Sequence, residues 1–191
     1  MTLALETRPG WPQDLRFLIE QYPREGWQAH ANLGAMARFW LQRHDMFRDL
    51  GGSMQKATGE FRSGILTPSD FQRWFAPRLQ FFLSNLHAHH HIEDFHYFPI
   101  FRAAEQRLVR GFETLEGDHE SIHASIVTAV GAANALLEAM AGDADAMRRT
   151  GDRYAAESEK LLAKLLRHLE DEEDLIVPLI LDRGEDQLGV G

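Results

Sequence analysis

Two stretches of the sequence concentrate side chains that can bind a metal ion, HHHIEDFHYFP at residues 89–99 and HLEDEEDLIVP at residues 168–178. Each places a histidine four residues before a glutamate, His89 with Glu93 and His168 with Glu172. Four residues span about one helical turn, so each pair presents an imidazole and a carboxylate in one direction. Such nitrogen and oxygen donors suit iron-like ions. The spacing therefore predicts a metal site rather than a solvated helix surface.

The two stretches form a repeat with an offset of 79 residues, which superposes both histidines, both glutamates and the closing prolines. The same offset places His44 on His123, and His119 precedes His123 by four residues. Burying so many polar groups without a metal would cost about 1–3 kcal/mol for each unpaired group. We expect seven donors to face one level of the interior: His44, His89, Glu93, His119, His123, His168 and Glu172.

Composition and charge exclude several classes of function. The formal net charge of −9 argues against binding nucleic acid or an anionic membrane, since both require basic patches. The chain has no cysteine, so any metal must be held by nitrogen and oxygen. No basic stretch followed by an apolar core opens the sequence, and the longest apolar run, near LIVPLIL, is too short to span a membrane. We expect a cytoplasmic protein.

Apolar residues recur three and four positions apart, and no run of alternating β-branched residues occurs, which predicts an all-α fold. Four long helices are expected over about 27–57, 69–110, 112–141 and from Asp143 or Asp145 to about 182. With modest connections they should form an up-down-up-down four-helix bundle. Prolines inside the helical segments should kink or end them.

The expected domain organisation has three parts. Residues 1–29 form an extension that can carry a short helix, residues 30–182 form the bundle, and residues 183–191 form a loose tail.

The motifs HHHIEDFHYFP, DHESIHAS and RHLEDEEDLIVP, in this order, resemble the hemerythrin-like family, also called the HHE cation-binding domain. The resemblance covers about residues 30–182 and implies a hemerythrin-like bundle with an oxygen-bridged pair of iron ions, zinc or manganese being the alternatives. It further implies that His119, His123 and His168 hold one iron and that His44 and His89 hold the other. Glu93 and Glu172 would bridge the two.

Two features of the resemblance bear on the last helix and on ligand access. In oxygen-carrying members the acid of the last helix is an aspartate five residues after its histidine, whereas here Glu172 and Glu173 occupy both the fourth and fifth positions. Glu172 is favoured because a residue five positions on is rotated by roughly 140°. Trp40 stands where a sixth ligand is missing, which leaves room for an exogenous ligand at the iron of His44 and His89.

The remaining histidines and Tyr97 receive different interpretations. His87, His90 and His91 should point away from the His89 face into solvent. His96 could support the ligands from behind or act as an extra ligand, and Tyr97 could offer a phenol, although a packing role is favoured for it.

Three functions are compatible with this donor set. The first is a non-haem di-iron protein that binds or senses dioxygen, nitric oxide or iron itself, with a small diatomic molecule as its partner. The second is an enzyme that uses the same centre on peroxide, nitric oxide or a small organic molecule. The third is a bundle stabilised by a structural metal.

Overall fold

Every regular element within residues 3–191, the part of the chain that the computed structural model describes, is helical. The predicted all-α fold is therefore confirmed, while the up-down-up-down arrangement of four helices stays a prediction. Four of the α-helices are long, with 25 to 40 residues each. The α-helices of the described chain are α1 (Phe17–Gln21), α2 (Ala35–Arg62), α3 (Pro68–Ile92), α4 (Phe98–Ala104), α5 (Val109–Ala139), α6 (Ala144–Arg183) and α7 (Glu185–Leu188).

Side-chain caps define the starts of two long helices. The hydroxyl of Thr67 accepts a hydrogen bond from the backbone N–H of Asp70 at 3.1 Å and donates one to the Asp70 carboxylate at 2.7 Å. Asp143 accepts from the N–H groups of Asp145 and Ala146 at 2.7 and 3.0 Å. Both caps satisfy backbone donors that the first helical turn leaves unpaired, which explains the observed starts of α3 and α6.

The second predicted helix is interrupted rather than continuous to residue 110. After α3 the chain forms one π-helical segment, Glu93–Tyr97, then α4 and a short 3-10 helix at Gln106–Leu108. Pro99 lies at the start of α4, where a missing N–H is tolerated. The helices α3 and α6 continue through Pro77 and Pro178, so these prolines do not end a helix, and the predicted kink stays a prediction.

The chain divides into two compact units. The first contains the chain up to Asp45 together with Ala88–His119 and Leu166–Gly191. Its core joins aromatic residues with leucine and isoleucine side chains of α6. Gly111 permits a close approach there, because a Cβ at this position would lie 2.7 Å from a methyl carbon of Leu175.

The second unit contains Met46–His87 and Glu120–Leu165. A run of aromatic rings forms part of its core, with Phe71 stacked on both Phe61 and Phe75 at centroid distances of 4.6 and 4.7 Å. Tyr154 meets Phe75 edge to face at 5.1 Å. Such pairs add to the burial of apolar area that stabilises this unit.

Both chain ends pack into the first unit. The N-terminal residues include α1, and the side chains of Trp11, Leu15, Leu18 and Trp27 are buried in the core. The C-terminal tail, expected to be loose, forms α7. Its Glu185 carboxylate accepts a hydrogen bond from the backbone N–H of Ala37 at 2.8 Å and so caps the start of α2.

One helical stretch, Gln106–Ala139, is long and apolar enough to cross a membrane by length and composition. Core helices of soluble proteins satisfy the same criterion, so this feature is weak evidence for a membrane span.

Glu105 provides a prediction about the pH dependence of stability. Its carboxylate accepts hydrogen bonds from Arg107 at 2.8 Å and Arg183 at 3.1 Å, and the Arg107 interaction lowers the pKa of Glu105 to about 2. A depressed pKa stabilises the fold above the ordinary value of 4.5, and the contribution is lost as the pH falls towards about 2.

The substitution Glu105→Gln should therefore lower the free energy of unfolding by about 1 kcal/mol at pH 7. The difference from the unaltered chain should shrink as the pH falls below 4.5. Urea denaturation at several pH values measures this difference in the free energy of unfolding. The control is Glu113→Gln, at an exposed position of α5. A difference that is constant from pH 7 to pH 3 would contradict the assignment.

Candidate metal centre

Five imidazoles and two carboxylates meet in the interior of the first unit. Within residues 3–191 their donor atoms form two groups that could each hold an ion. Every one of these seven side chains is buried, and four of them have no exposed surface. The first group consists of His44, His89, Glu93 and Glu172, and the second group consists of His90, His119 and His168.

The first group brings together α2, the end of α3, the π-helical segment and α6. The Nε2 atoms of His44 and His89 are 3.0 Å apart. Nε2 of His89 lies 2.9 Å from Oε1 of Glu93, in an orientation that does not form a hydrogen bond. Nε2 of His44 lies 3.5 Å from Oε2 of Glu172. The ligand atoms of these four side chains thus lie within 4.8 Å of one another.

The second group is built by α3, α5 and α6. The Nε2 atoms of His119 and His168 are 3.1 Å apart. The ring of His90 stacks on that of His119 with 4.0 Å between centroids, and Phe98 stacks on His119 at 5.6 Å. This group therefore contains three imidazoles, and the ring of Phe98 packs against one of them.

Each carboxylate reaches a histidine of the second group as well as the first. Oε2 of Glu93 lies 3.6 Å from Nε2 of His119, and Oε2 of Glu172 lies 3.5 Å from Nε2 of His168. The two glutamates therefore stand between the groups. A carboxylate in such a position can bind one cation with each oxygen, or two with one oxygen.

The separations fit a metal site. Metal–ligand bonds of about 2.1 Å at right angles place neighbouring donors about 3.0 Å apart, and wider angles extend this to about 3.6 Å. The measured contacts of 2.9 to 3.6 Å between nitrogen and oxygen donors cover this range. The residues present therefore fit a pair of cations.

Several polar atoms of these side chains are buried without a hydrogen-bond partner in the described part of the chain. They include both oxygens of Glu93, both oxygens of Glu172, and Nε2 of His90. Leaving such groups unpaired costs about 1–3 kcal/mol each, and more for a charged carboxylate. Coordination by cations removes this cost, which is the strongest physical argument that the groups hold metal.

Burial sets the protonation of the donors when no cation is present. It lowers the pKa of His89 to about 3 and lowers the pKa of His90 and of His168 well below their usual range, assisted by the charge of His119. These imidazoles are thus neutral near pH 7, with a lone pair available. Burial also raises the pKa of Glu93 and Glu172 well above the ordinary value, so metal binding must release protons from the carboxyl groups.

A second layer of acids orients two of the histidines. Nδ1 of His44 lies 2.9 Å from Oε1 of Glu173, whose other oxygen accepts a hydrogen bond from Arg24 at 2.8 Å. Nδ1 of His119 lies 2.8 Å from Oδ1 of Asp94. A carboxylate that accepts the Nδ1–H proton directs the Nε2 lone pair at the metal position and makes the ring a stronger ligand.

The N-terminal extension supplies the counter-charges of this second layer. Arg8 has no exposed side-chain surface and donates to Asp171 at 2.8 Å and to Asp118. Trp11 donates from Nε1 to the backbone carbonyl of Asp171 at 2.7 Å. Because Asp118 precedes His119 and Asp171 precedes Glu172, these contacts fix the backbone beside two candidate ligands.

The structure brings six of the seven predicted donors together. The exception is His123, which is exposed on α5, so the expectation that it faces the interior is wrong. His90, expected in solvent, is 8% exposed and belongs to the second group instead. The sequence contained a signal for His90, because Asp94 follows it by four residues, the same spacing that separates His89 from Glu93.

The other two residues considered for the site lie outside both groups. His96 is exposed and joins neither group, and Tyr97 packs against the core.

Glu172 and Glu173 have different positions. Glu172 lies within the first group, whereas Glu173 lies behind His44 and bonds to Arg24. Trp40, expected as a wall, meets His44 and His89 edge to face at 6.3 and 6.0 Å.

Comparison with known proteins gives one match. The sequence profile of the Hemerythrin HHE cation binding domain matches residues 35–180. No curated protein and no solved structure matches the chain.

Substitution of Glu172 should change the stability of the metal-free protein and its metal content in opposite directions. In the metal-free protein, Glu172→Gln should raise the free energy of unfolding by about 1–2 kcal/mol at pH 7, because folding no longer has to protonate a buried carboxyl group. The gain should shrink as the pH falls towards 4.5, where the unfolded chain also protonates this carboxyl group. The same substitution should reduce the metal content.

Urea denaturation after chelation and metal analysis after reloading measure the two effects. The control is Glu170→Gln, at an exposed position of the same helix, which should change neither quantity. Loss of stability in the metal-free Glu172→Gln chain would show that this carboxylate has a structural partner.

His90 and His123 offer a matched pair of substitutions. His90→Gln should lower the affinity of the second group for metal by about tenfold or more, whereas His123→Gln should leave it unchanged. Competition with a chromophoric chelator measures the affinity. The reverse result would place the ligand at His123 and contradict the grouping.

Proposed function

The chain belongs to the hemerythrin HHE cation-binding family, and we propose that it is a non-haem di-iron protein that binds or senses dioxygen, nitric oxide or iron itself. The observation that carries this proposal is the pair of buried carboxylates that stand between two groups of histidines. Zinc or manganese in the same positions is the alternative for the metal.

The proposed ions would be held unequally. His90, His119 and His168 would hold one, and His44 with His89 would hold the other, while Glu93 and Glu172 would contribute to both. The ion with two histidines has fewer protein ligands. A small diatomic ligand would therefore bind on that side, next to Trp40.

An iron pair would supply electrons and a site for a small ligand. The remaining tasks belong to the chain. The carboxylate behind His44 and the one behind His119 keep both imidazoles in one tautomer. The aromatic rings of Trp40 and Phe98 limit the access of water to the donors.

A second candidate is an enzyme that uses the same centre. A cavity of about 310 Å³ borders the first group, and Trp40, His89 and Glu93 are among its lining residues. This is about ten times the roughly 30 Å³ that one water molecule occupies, more than a diatomic ligand needs. The cavity favours a substrate larger than dioxygen or nitric oxide.

Metal analysis and absorption spectroscopy test the proposal. The purified chain should hold about two metal ions, and His44→Ala should hold about one. Anaerobic loading with ferrous iron followed by air should produce charge-transfer absorption in the near-ultraviolet and visible range. His96→Ala, at an exposed position, is the control and should behave like the unaltered chain. A chain that binds iron but gives an unchanged spectrum in air would contradict oxygen binding.

A further inference from the structure

We propose that the cavity beside the first group binds a small organic acid with an apolar body, its acid group at Arg43. The placement beside a metal centre rests on the proposed function. The cavity lies within the first unit and is lined by Met36, Phe39, Trp40, Arg43, Ala88, His89, Ile92, Glu93 and Tyr97.

The lining determines the chemistry of the ligand. Most of its side chains are apolar or aromatic, and a volume near 310 Å³ is at the small end of ligand pockets, suited to about ten non-hydrogen atoms. Phe39 and Ile92 line the cavity and are 62% and 46% exposed. An apolar ligand body would cover these side chains, and their removal from water would contribute to its affinity.

Arg43 is the one arginine or lysine among the residues that line this cavity. It is half-buried on α2, directly before His44, and it lines the cavity together with His89. The guanidinium is therefore close to the first group. Its fork of N–H donors matches the two oxygens of a carboxylate.

The electrostatics of the centre favour an anion over a neutral ligand. Two divalent cations carry more positive charge than Glu93 and Glu172 can neutralise, and Arg43 adds to this charge on the cavity side. A carboxylate at Arg43 would therefore be attracted by both. Its apolar body would lie against the apolar lining, to which Tyr97 and Ile92 belong.

The cavity and the first group have two residues in common. His89 and Glu93 line the cavity and also belong to the first group. Trp40 lines it too, and its buried Nε1 has no hydrogen-bond partner in the described residues. A ligand in the cavity would thus touch the side of the centre that has fewer histidines.

Titration calorimetry on the zinc-loaded chain tests the proposal with three probes: octanoate, 1-octanol and acetate. Octanoate should bind about tenfold or more tightly than 1-octanol, which lacks the charge, and than acetate, which lacks the apolar body. Arg43→Gln should weaken octanoate binding about tenfold and leave 1-octanol unchanged. Arg43→Lys should retain part of the affinity.

Two further variants complete the experiment. Phe39→Ser should weaken octanoate and 1-octanol alike, and Arg38→Gln, an exposed position on the same helix, should change neither. Octanoate binding that is absent, or equal in the unaltered chain and Arg43→Gln, would overturn the inference. Metal content is measured on the same samples, so a chain with metal but without octanoate binding overturns the cavity proposal alone. A chain without metal overturns the proposed function.

Discussion

The complete burial of two carboxylates among five imidazoles is the constraint on which the rest of this structure depends. A carboxylate moved from water into an apolar interior loses hydration that only cations or several hydrogen bonds can replace. Glu93 and Glu172 have no hydrogen-bond partner among residues 3–191. Burial therefore raises the pKa of both groups, and cations that enter between the histidines would displace their protons and replace the lost hydration.

The second layer follows from the same constraint. Glu173 and Asp94 accept from histidine Nδ1 atoms, and each acid adds negative charge near carboxylates that are already buried. Arg24 and Arg8, both from the N-terminal extension, offset this charge through Glu173 and through Asp118 with Asp171. The N-terminal extension thus helps to hold the candidate ligands in place, although it lies before the segment that matches the family.

The four-residue spacing in the sequence correctly predicted the pairs of donors that lie one helical turn apart. His89 with Glu93 and His168 with Glu172 are separated by one helical turn, and the structure places each pair within contact distance. His123 was mispredicted because the offset that aligns α3 with α6 was extended to α2 and α5. Four residues advance a helix by about 6 Å and rotate it by about 40°, so one turn of misalignment moves a donor away from the centre.

Sequence patterns could not predict the contacts between residues far apart in the chain. The ion pair of Arg8 and Asp171 joins residues 163 positions apart, and no local spacing identifies it. The same holds for Glu185, which caps α2 from the far end of the chain. A weaker signal was present, since an acid is adjacent to each of Glu93, His119 and Glu172, and buried acids require cationic partners.

The centre is asymmetric, and the asymmetry decides where a ligand can enter. In the second group, His119 stacks with the rings of both His90 and Phe98. The first group meets Trp40 instead, and a cavity begins at that side chain. The indole of Trp40 offers no metal ligand and presents an apolar surface to this cavity. Trp40 thus forms part of the wall between the first group and the cavity, and the proposed ligand would reach the centre from this side.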